Sequence, residues 1–351
     1  MVKNGMEPLV VNTRQGLYCP KGNFYIDPWR AVDRALITHA HSDHARSGSK
    51  SYLTAATGEH VLRQRLSKKA VIETLEFGRA VTISGVKVSF HSAGHVLGSA
   101  QIRLEHKGQV WVVSGDYKTV PDSTCDAFEP VKCHTFITES TFGLPIYRWP
   151  SPLEVSRSIN SWWQRNQENG LASVLMGYSF GKAQRLLSLL DPSLGSIYVH
   201  PKIDLMNRAY LSTGIKLHPY RNIEETIAGT RFGSSLIITP PGADDLVWRS
   251  RVYDYYAVGV ASGWMRVRNR QAYNHHDESF VLSDHADWDE LLSVIKETEA
   301  EQVVVTHGFV EPLLKHLNGR GIQAISFKTK FHGEDNFDEL SSLKRQELAP
   351  V

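Results

Sequence analysis

Apolar residues in the first part of the chain fall in short runs broken by glycine, proline, asparagine and aspartate, a pattern that predicts β-strands rather than helices. Gly22–Ile26 ends at Asp27, Ala35–Thr38 at His39 and Thr135–Thr138 at Glu139. Gln109–Val113 runs into Ser114-Gly115-Asp116, and far downstream Gln302–Thr306 ends at His307. Each predicted strand thus delivers an acid or an imidazole just past its last apolar residue. A rigid strand fixes the position of a residue on its adjoining loop, so the pattern suits a sheet whose rim carries a site.

The rhythm changes between about Leu144 and Arg270. Ser151-Pro152-Leu153-Glu154 is a capping box with proline at the first helical position; Val155, Ile159, Trp162 and Trp163 follow at helical spacing, and Gly170 is the stop. Strands over Ser173–Met176, Ile197–Val199 and Leu236–Thr239 then alternate with helices over Lys182–Leu190 and Leu205–Leu211, which implies parallel βαβ units. The expected organisation is a compact α/β domain of residues 144–270 inserted into a β-rich domain made of 1–143 and 271–335, with 336–351 as a weakly docked tail.

Composition narrows the class. With 41% hydrophobic and 22% charged residues, a chain of 351 residues is expected to fold on its own core. Three cysteines without CxxC spacing, Cys19, Cys125 and Cys133, fit a reducing cytoplasm. No apolar run reaches the roughly 18 residues of a membrane helix, and Met1–Pro20 lacks the layout of a signal peptide. The net charge of +2 does not by itself argue for nucleic acid, so such a partner would be met by a local basic surface.

Histidine is the informative residue, with 16 in the chain. Three of them and an aspartate fall together in His39-Ala40-His41-Ser42-Asp43-His44, directly after an apolar strand. Neutral imidazoles and carboxylates are what zinc accepts, and a tight loop can aim alternate residues at two neighbouring ions. His95 lies in a glycine-bounded turn, Asp116 follows a glycine that lets the backbone come close, and His307 precedes Gly308. Singly, each is more often structural; together they make a two-metal inventory. One zinc would take His39, His41, His95 and Asp116, and the other Asp43, His44, Asp116 and His307, with Asp116 as the bridge. A water shared by such ions is acidified toward a pKa of about 7, and the ions also neutralise a phosphate, which suits phosphodiester hydrolysis.

The hexapeptide His39–His44 resembles the HxHxDH signature of the metallo-β-lactamase superfamily, with Asp27, His95, Asp116 and His307 matching its other motif positions. His307 lies 191 positions after Asp116 with a whole domain between them, which is similar to the β-CASP nucleases. Glu139 then corresponds to their acidic motif A, His285 to the motif B histidine and His307 to motif C. The segments Glu139–Trp149, Gly177–Arg185 and Ala261–Met265 resemble the bacterial ligase-associated DNA exonucleases. The fold implied is a metallo-β-lactamase αββα sandwich with an inserted parallel α/β β-CASP domain.

The implied function is a two-zinc DNA exonuclease, working 5′ to 3′ in repair, in which a metal-bridged hydroxide attacks the scissile phosphate. Manganese is an alternative to zinc, and a DNA ligase and a helicase are the implied functional partners. The resemblance assigns Asp43, His285 and Glu139 to catalysis: His285 contacts phosphate or protonates the leaving oxygen, and Glu139 orients His285 or a metal ligand. Helix capping is the alternative for His285, and solvation at a strand end for Glu139. Asp27 is expected to support a ligand from behind, with a simple turn as its alternative. Ser179 and Lys182, between a strand and a helix, stand either as phosphate contacts or as an ordinary turn. Artemis-type DNA nucleases lack the motif C histidine that His307 supplies, so RNA remains the other substrate. A non-catalytic nucleic-acid-binding subunit is the reading from outside the enzyme class.

Overall fold

A computed structural model describes residues 7–227, 229–242, 249–252, 254–267 and 276–331. The chain divides into two compact units, one combining Met1–Tyr147 with Asp284–Gly333, the other built on Arg148–Ser283.

The first unit contains a six-stranded and a seven-stranded sheet. The six-stranded sheet begins with the antiparallel strands Val11–Thr13, Gly16–Cys19 and Phe24–Ile26, then continues in parallel through Arg34–Leu36, Ser51–Ala55 and Ile72–Leu75. In the seven-stranded sheet, Gln323–Ser326, Gln302–Gly308, Thr135–Ser140 and Gln109–Val113 run parallel, and Ala100–His106, Val86–Ser92 and Ala80–Ile83 complete it antiparallel. Alternation along the strands builds two cores. Trp111, Val113, Ile137 and Val304 pack with Leu17, Phe24, Leu36 and Leu53 of the other sheet. Their neighbours Val112, Phe136, Val303 and Val305 face the opposite way, onto Leu291, Val294, Leu313 and Leu317 of the helices Trp288–Glu297 and Val310–Gly319.

The second unit is a six-stranded sheet in which every pairing is parallel, in the order Arg221–Asn222, Ile197–Val199, Leu236–Thr239, Ala172–Met176, Tyr256–Ala261, Glu278–Phe280. A parallel sheet is buried on both faces. Leu175, Leu236 and Ile238 enter one apolar cluster, and Val174, Ile237 and Val258 enter another. The helix Pro152–Glu168 starts with the capping box read from the sequence, Ser151 Oγ accepting from Glu154 N. The helix expected over Leu205–Leu211 runs Pro201–Ser212 instead, because Pro201 opens it and His200 Nδ1 accepts from Lys202 N.

Three expectations are compared with the structure. The division into units falls at Arg148 and Ser283, against the 144 and 270 expected for the insertion. Tyr147 stays with the first unit, where its ring meets Phe142 and its carbonyl accepts from Trp288 N. Glu278–Phe280 extends the second unit's sheet, and Phe280 and Leu282 are buried in its core. The expected boundary at 270/271 and the tail 336–351 lie outside the described residues. Second, Glu139 and His307 stand within their strands, not past them. Third, the cap of the helix after His285 is Asp287, whose Oδ1 accepts from Asp289 N and Glu290 N.

A register irregularity marks the rim where these two strands end. Thr138 pairs with Val305 but Ser140 with Gly308, so the His307 strand carries an extra residue, a bulge of the kind that re-aims side chains. Gly308 makes the close approach possible: it sits at φ +92°, and a Cβ there would lie 2.2 Å from the Ser140 carbonyl oxygen. Gly308→Ala is therefore expected to destabilise the protein by about 2–4 kcal/mol, read as a lower denaturation midpoint.

Candidate metal centre

The loop carrying the three histidines begins where the strand Arg34–Leu36 hands over to side-chain support. Ile37 N still bonds the Leu53 carbonyl, but Thr38 N donates to Asp27 Oδ1 at 2.8 Å instead of to a strand. His44 N and Ala45 N both return to the His41 carbonyl, so the loop closes as a single turn. Asp116 reaches it through Gly115, at φ +59°, where a Cβ would lie 2.7 Å from Thr38 Cβ. His95 hangs on a turn held by Ser99, whose Oγ accepts from His95 N and Val96 N.

Segments far apart in the chain converge here. His39, His41, His95 and Asp116 each offer a donor atom within 4.8 Å of the others; so do His44, Asp116 and His307, and so do Asp116, Glu139 and His285. From Asp116 Oδ2, the Nε2 atoms of His44, His39 and His95 lie at 3.5, 3.6 and 4.0 Å; Asp116 Oδ1 lies 3.0 Å from His307 Nε2. His41 enters through Nδ1, 3.1 Å from His95 Nε2. A tetrahedral ion with bonds of about 2.0–2.1 Å spaces its ligands roughly 3.3 Å apart, so these separations fit cation coordination. Asp43 stays outside these groups. Its side chain is 12% exposed, with Oδ2 3.7 Å from His44 Nε2.

The outer face of each ring fixes which nitrogen is available. Thr38 Oγ1 donates to Asp27 Oδ2, so at 3.0 Å it accepts from His39 Nδ1. Thr306 Oγ1 donates to the Thr138 carbonyl, so at 3.1 Å it accepts from His307 Nδ1. His44 Nδ1 donates to Asp27 Oδ2 at 2.8 Å and His95 Nδ1 to the Asp284 carbonyl at 2.7 Å. With a proton held on Nδ1 in all four, Nε2 is the nitrogen that faces inward and is left for a cation. His39 Nε2, His44 Nε2, His307 Nε2 and Asp116 Oδ1 are buried and make no hydrogen bond. Buried polar atoms are rarely left so unless an ion or water belongs there. The residues therefore fit a divalent cation.

The electrostatics point the same way. Burial drives His39 and His95 well below the usual imidazole range, aided by the neighbouring rings, so they are neutral and able to ligate. Burial alone would also lower His44, but the carboxylates of Asp116, Asp43 and Asp27 outweigh it and raise this ring to about 10. Burial opposes ionisation of Asp116, yet His44 and His307 hold it well below the usual carboxylate range. The cluster of acids thus calls for positive charge at its centre. Asp27→Asn would turn an amide N–H toward the donors it now receives, and is expected to weaken metal binding about 10–100-fold in a chelator competition.

Beside these groups, Glu139 bridges two loops. Its Oε1 accepts from Tyr117 N at 2.7 Å and its Oε2 from His285 Nδ1 at 2.9 Å. His285 Nδ1 lies 4.0 Å from Asp116 Oδ2, so the ring stands at the centre's edge. Ser179 and Lys182 belong to the other unit and enter none of the groups; Lys182 is buried with its ammonium 5.7 Å from the Tyr178 ring centre. Other histidines have structural work: His91 pairs with Glu129, and His134 Nδ1 accepts from Val110 N. Sequence reasoning missed Thr38 and Thr306. Their signal was present as a repeated Thr-His pair at two strand ends, whereas the Asp284 carbonyl has no sequence signal at all.

No family model matches the chain. It is similar to a probable DNA ligase of Opitutus terrae, 30% identical over 337 residues that make up 95% of this chain and 32% of that protein. It is also similar to Endoribonuclease YSH1 of Gibberella zeae, 29% identical over 178 residues, 49% of this chain and 20% of that one. The chain thus spans at most about a third of these relatives. A crystal structure of a protein of unknown function from Enterococcus faecalis shares the fold, with a TM-score of 0.53 and 12% identity over 85% of this chain and 79% of that one.

Proposed function

The chain is homologous to the β-CASP nucleases of the metallo-β-lactamase superfamily, and from that premise we propose that it is a metal-dependent nuclease hydrolysing the phosphodiester bonds of DNA. In this reading Met1–Tyr147 with Asp284–Gly333 is the metallo-β-lactamase part and Arg148–Ser283 the inserted β-CASP part. The observation that carries the reading is the set of inward, unbonded Nε2 atoms gathered around one buried carboxylate. His39, His41, His95 and Asp116 would hold one zinc; His44, Asp116 and His307, joined by Asp43, would hold the other, with manganese as a substitute. Bound there, the two ions would acidify water and neutralise phosphate charge.

The chain's own groups do the rest. Asp27, Thr38 and Thr306 keep the rings turned inward. Glu139 holds the proton on His285 Nδ1 and so fixes how that ring meets a phosphate or a leaving oxygen. For Ser179 and Lys182 the proposed role is a phosphate contact, supported by their place between the strand Ala172–Met176 and the start of the helix Lys182–Leu189.

DNA is favoured because the similarity to the DNA-ligase-named protein runs over 95% of this chain, against 49% for the endoribonuclease. A chain resembling part of a ligase is suited to trimming ends that a ligase and a helicase then handle, and the reading takes this to be exonuclease action in repair, from the 5′ end. RNA is the second reading, supported by the endoribonuclease similarity. End-labelled single- and double-stranded DNA and RNA, digested in parallel with metal analysis of the same preparation, decide. The expected result is 5′ shortening of DNA, abolished by chelation. Shortening of RNA alone would install the second reading, and no cleavage of any strand by metal-replete protein would make this a binding subunit.

A further inference from the structure

We infer that Phe331 is a positioning residue of the second cation group, holding the His44 and His307 rings in place by stacking. The inference rests on the two-cation reading above.

The carbon side of that group is as built as its polar side. The Phe331 ring lies on His44 with centroids 4.2 Å apart and planes 7° from parallel, and it meets His307 edge-on at 5.4 Å. His39 packs against His44 as well, at 4.1 Å. His44 is thus held by two neighbouring rings and, at Nδ1, by Asp27. Phe331 is 8% exposed and walls a small cavity with Leu17, Asp27, His44, Thr306 and His307.

The segment bearing Phe331 is tied down along its length. Phe327 N donates to the Val305 carbonyl and Asn12 Nδ2 to the Lys328 carbonyl. The Lys330 ammonium sits 5.8 Å from the Trp29 ring centre, and Trp29 meets Phe331 edge-on at 6.1 Å. Trp29 itself follows Asp27-Pro28, so the chain that supports His44 also supports the ring stacked upon it. An aromatic ring here does two things. It hinders tilting of His44 about its Nδ1 bond to Asp27, and by covering one face of that ring and packing edge-on against His307 it keeps water from both ligands, which strengthens their hold on a cation. Both imidazole rings it touches serve the second group.

The test compares Phe331→Ala and Phe331→Tyr with wild type, using chelator competition with zinc alone and elemental analysis to resolve the two ions. In Phe331→Ala the second zinc is expected to weaken at least about tenfold while the first is unchanged, and Phe331→Tyr, which keeps the ring, restores it. Turnover of Phe331→Ala should recover as zinc is raised, which damage to the fold would not allow. Phe331→Ala binding both ions as wild type does, or losing both alike, overturns the inference while leaving the nuclease reading intact. A wild type that takes up only one ion overturns the two-ion reading, and this inference with it.

Discussion

Asp116→Ala is expected to lose hydrolysis by about 10³–10⁴-fold or more while remaining folded. Asp116 is the one residue common to all three donor groups, with Oδ2 between 3.5 and 4.0 Å from the inward nitrogens of His39, His44 and His95. On the two-ion reading, removing it would deprive both positions of the carboxylate they share. A bound metal contributes several kcal/mol of charge stabilisation, and each 1.36 kcal/mol is a factor of ten in rate, which sets the expected size. The fold should survive, because the carboxylate belongs to neither of the two apolar clusters described for its unit, and His44 can give up its proton once the acid is gone. Elemental analysis should find both ions depleted, and circular dichroism an unchanged spectrum. A rate on end-labelled DNA above about a tenth of wild type would rule out a metal mechanism centred on this residue.

His285→Ala should separate chemistry from metal binding. The ring stands at the centre's edge and is tied to Glu139, which in turn is fixed by Tyr117 N. Loss of a general acid or phosphate contact lowers kcat about 10²–10⁴-fold, with both ions still in place. A proton donor also sets the alkaline limb of the kcat profile, since it is inactive once deprotonated; that limb should vanish in the variant. Glu139→Gln keeps the shape but weakens control of the His285 proton, and should cost about 10–100-fold. Zinc lost from His285→Ala in proportion to activity would move His285 into the ligand set.

What could be read from the chain alone was whatever depends on near neighbours. The capping box at Ser151 and Glu154, the apolar alternation that builds Trp111–Val113 into two cores, and the concentration of imidazoles in His39–His44 are local facts, written within a few residues. The alternation of strand and helix patterns marked the parallel units of the insertion for the same reason. The ends of that insertion were not legible: Glu278–Phe280 joins its sheet by pairing with Tyr256–Ala261, and no signal in a three-residue strand names its partner. Phe331 escaped notice likewise, as one of two phenylalanines in a polar stretch, its stacking partner being His44.

The division follows from physics. Residue type and spacing determined which side chains were fit to hold a cation, and even that each would stand near a strand end. Only the tertiary structure decided that they face one another: the register slip opposite Gly308, the threonine hydroxyls behind His39 and His307, and a backbone carbonyl from Asp284 aim rings that sequence can only supply. Pairing between distant segments is selected by the total burial and hydrogen bonding of the folded chain, and that sum is written at no single position.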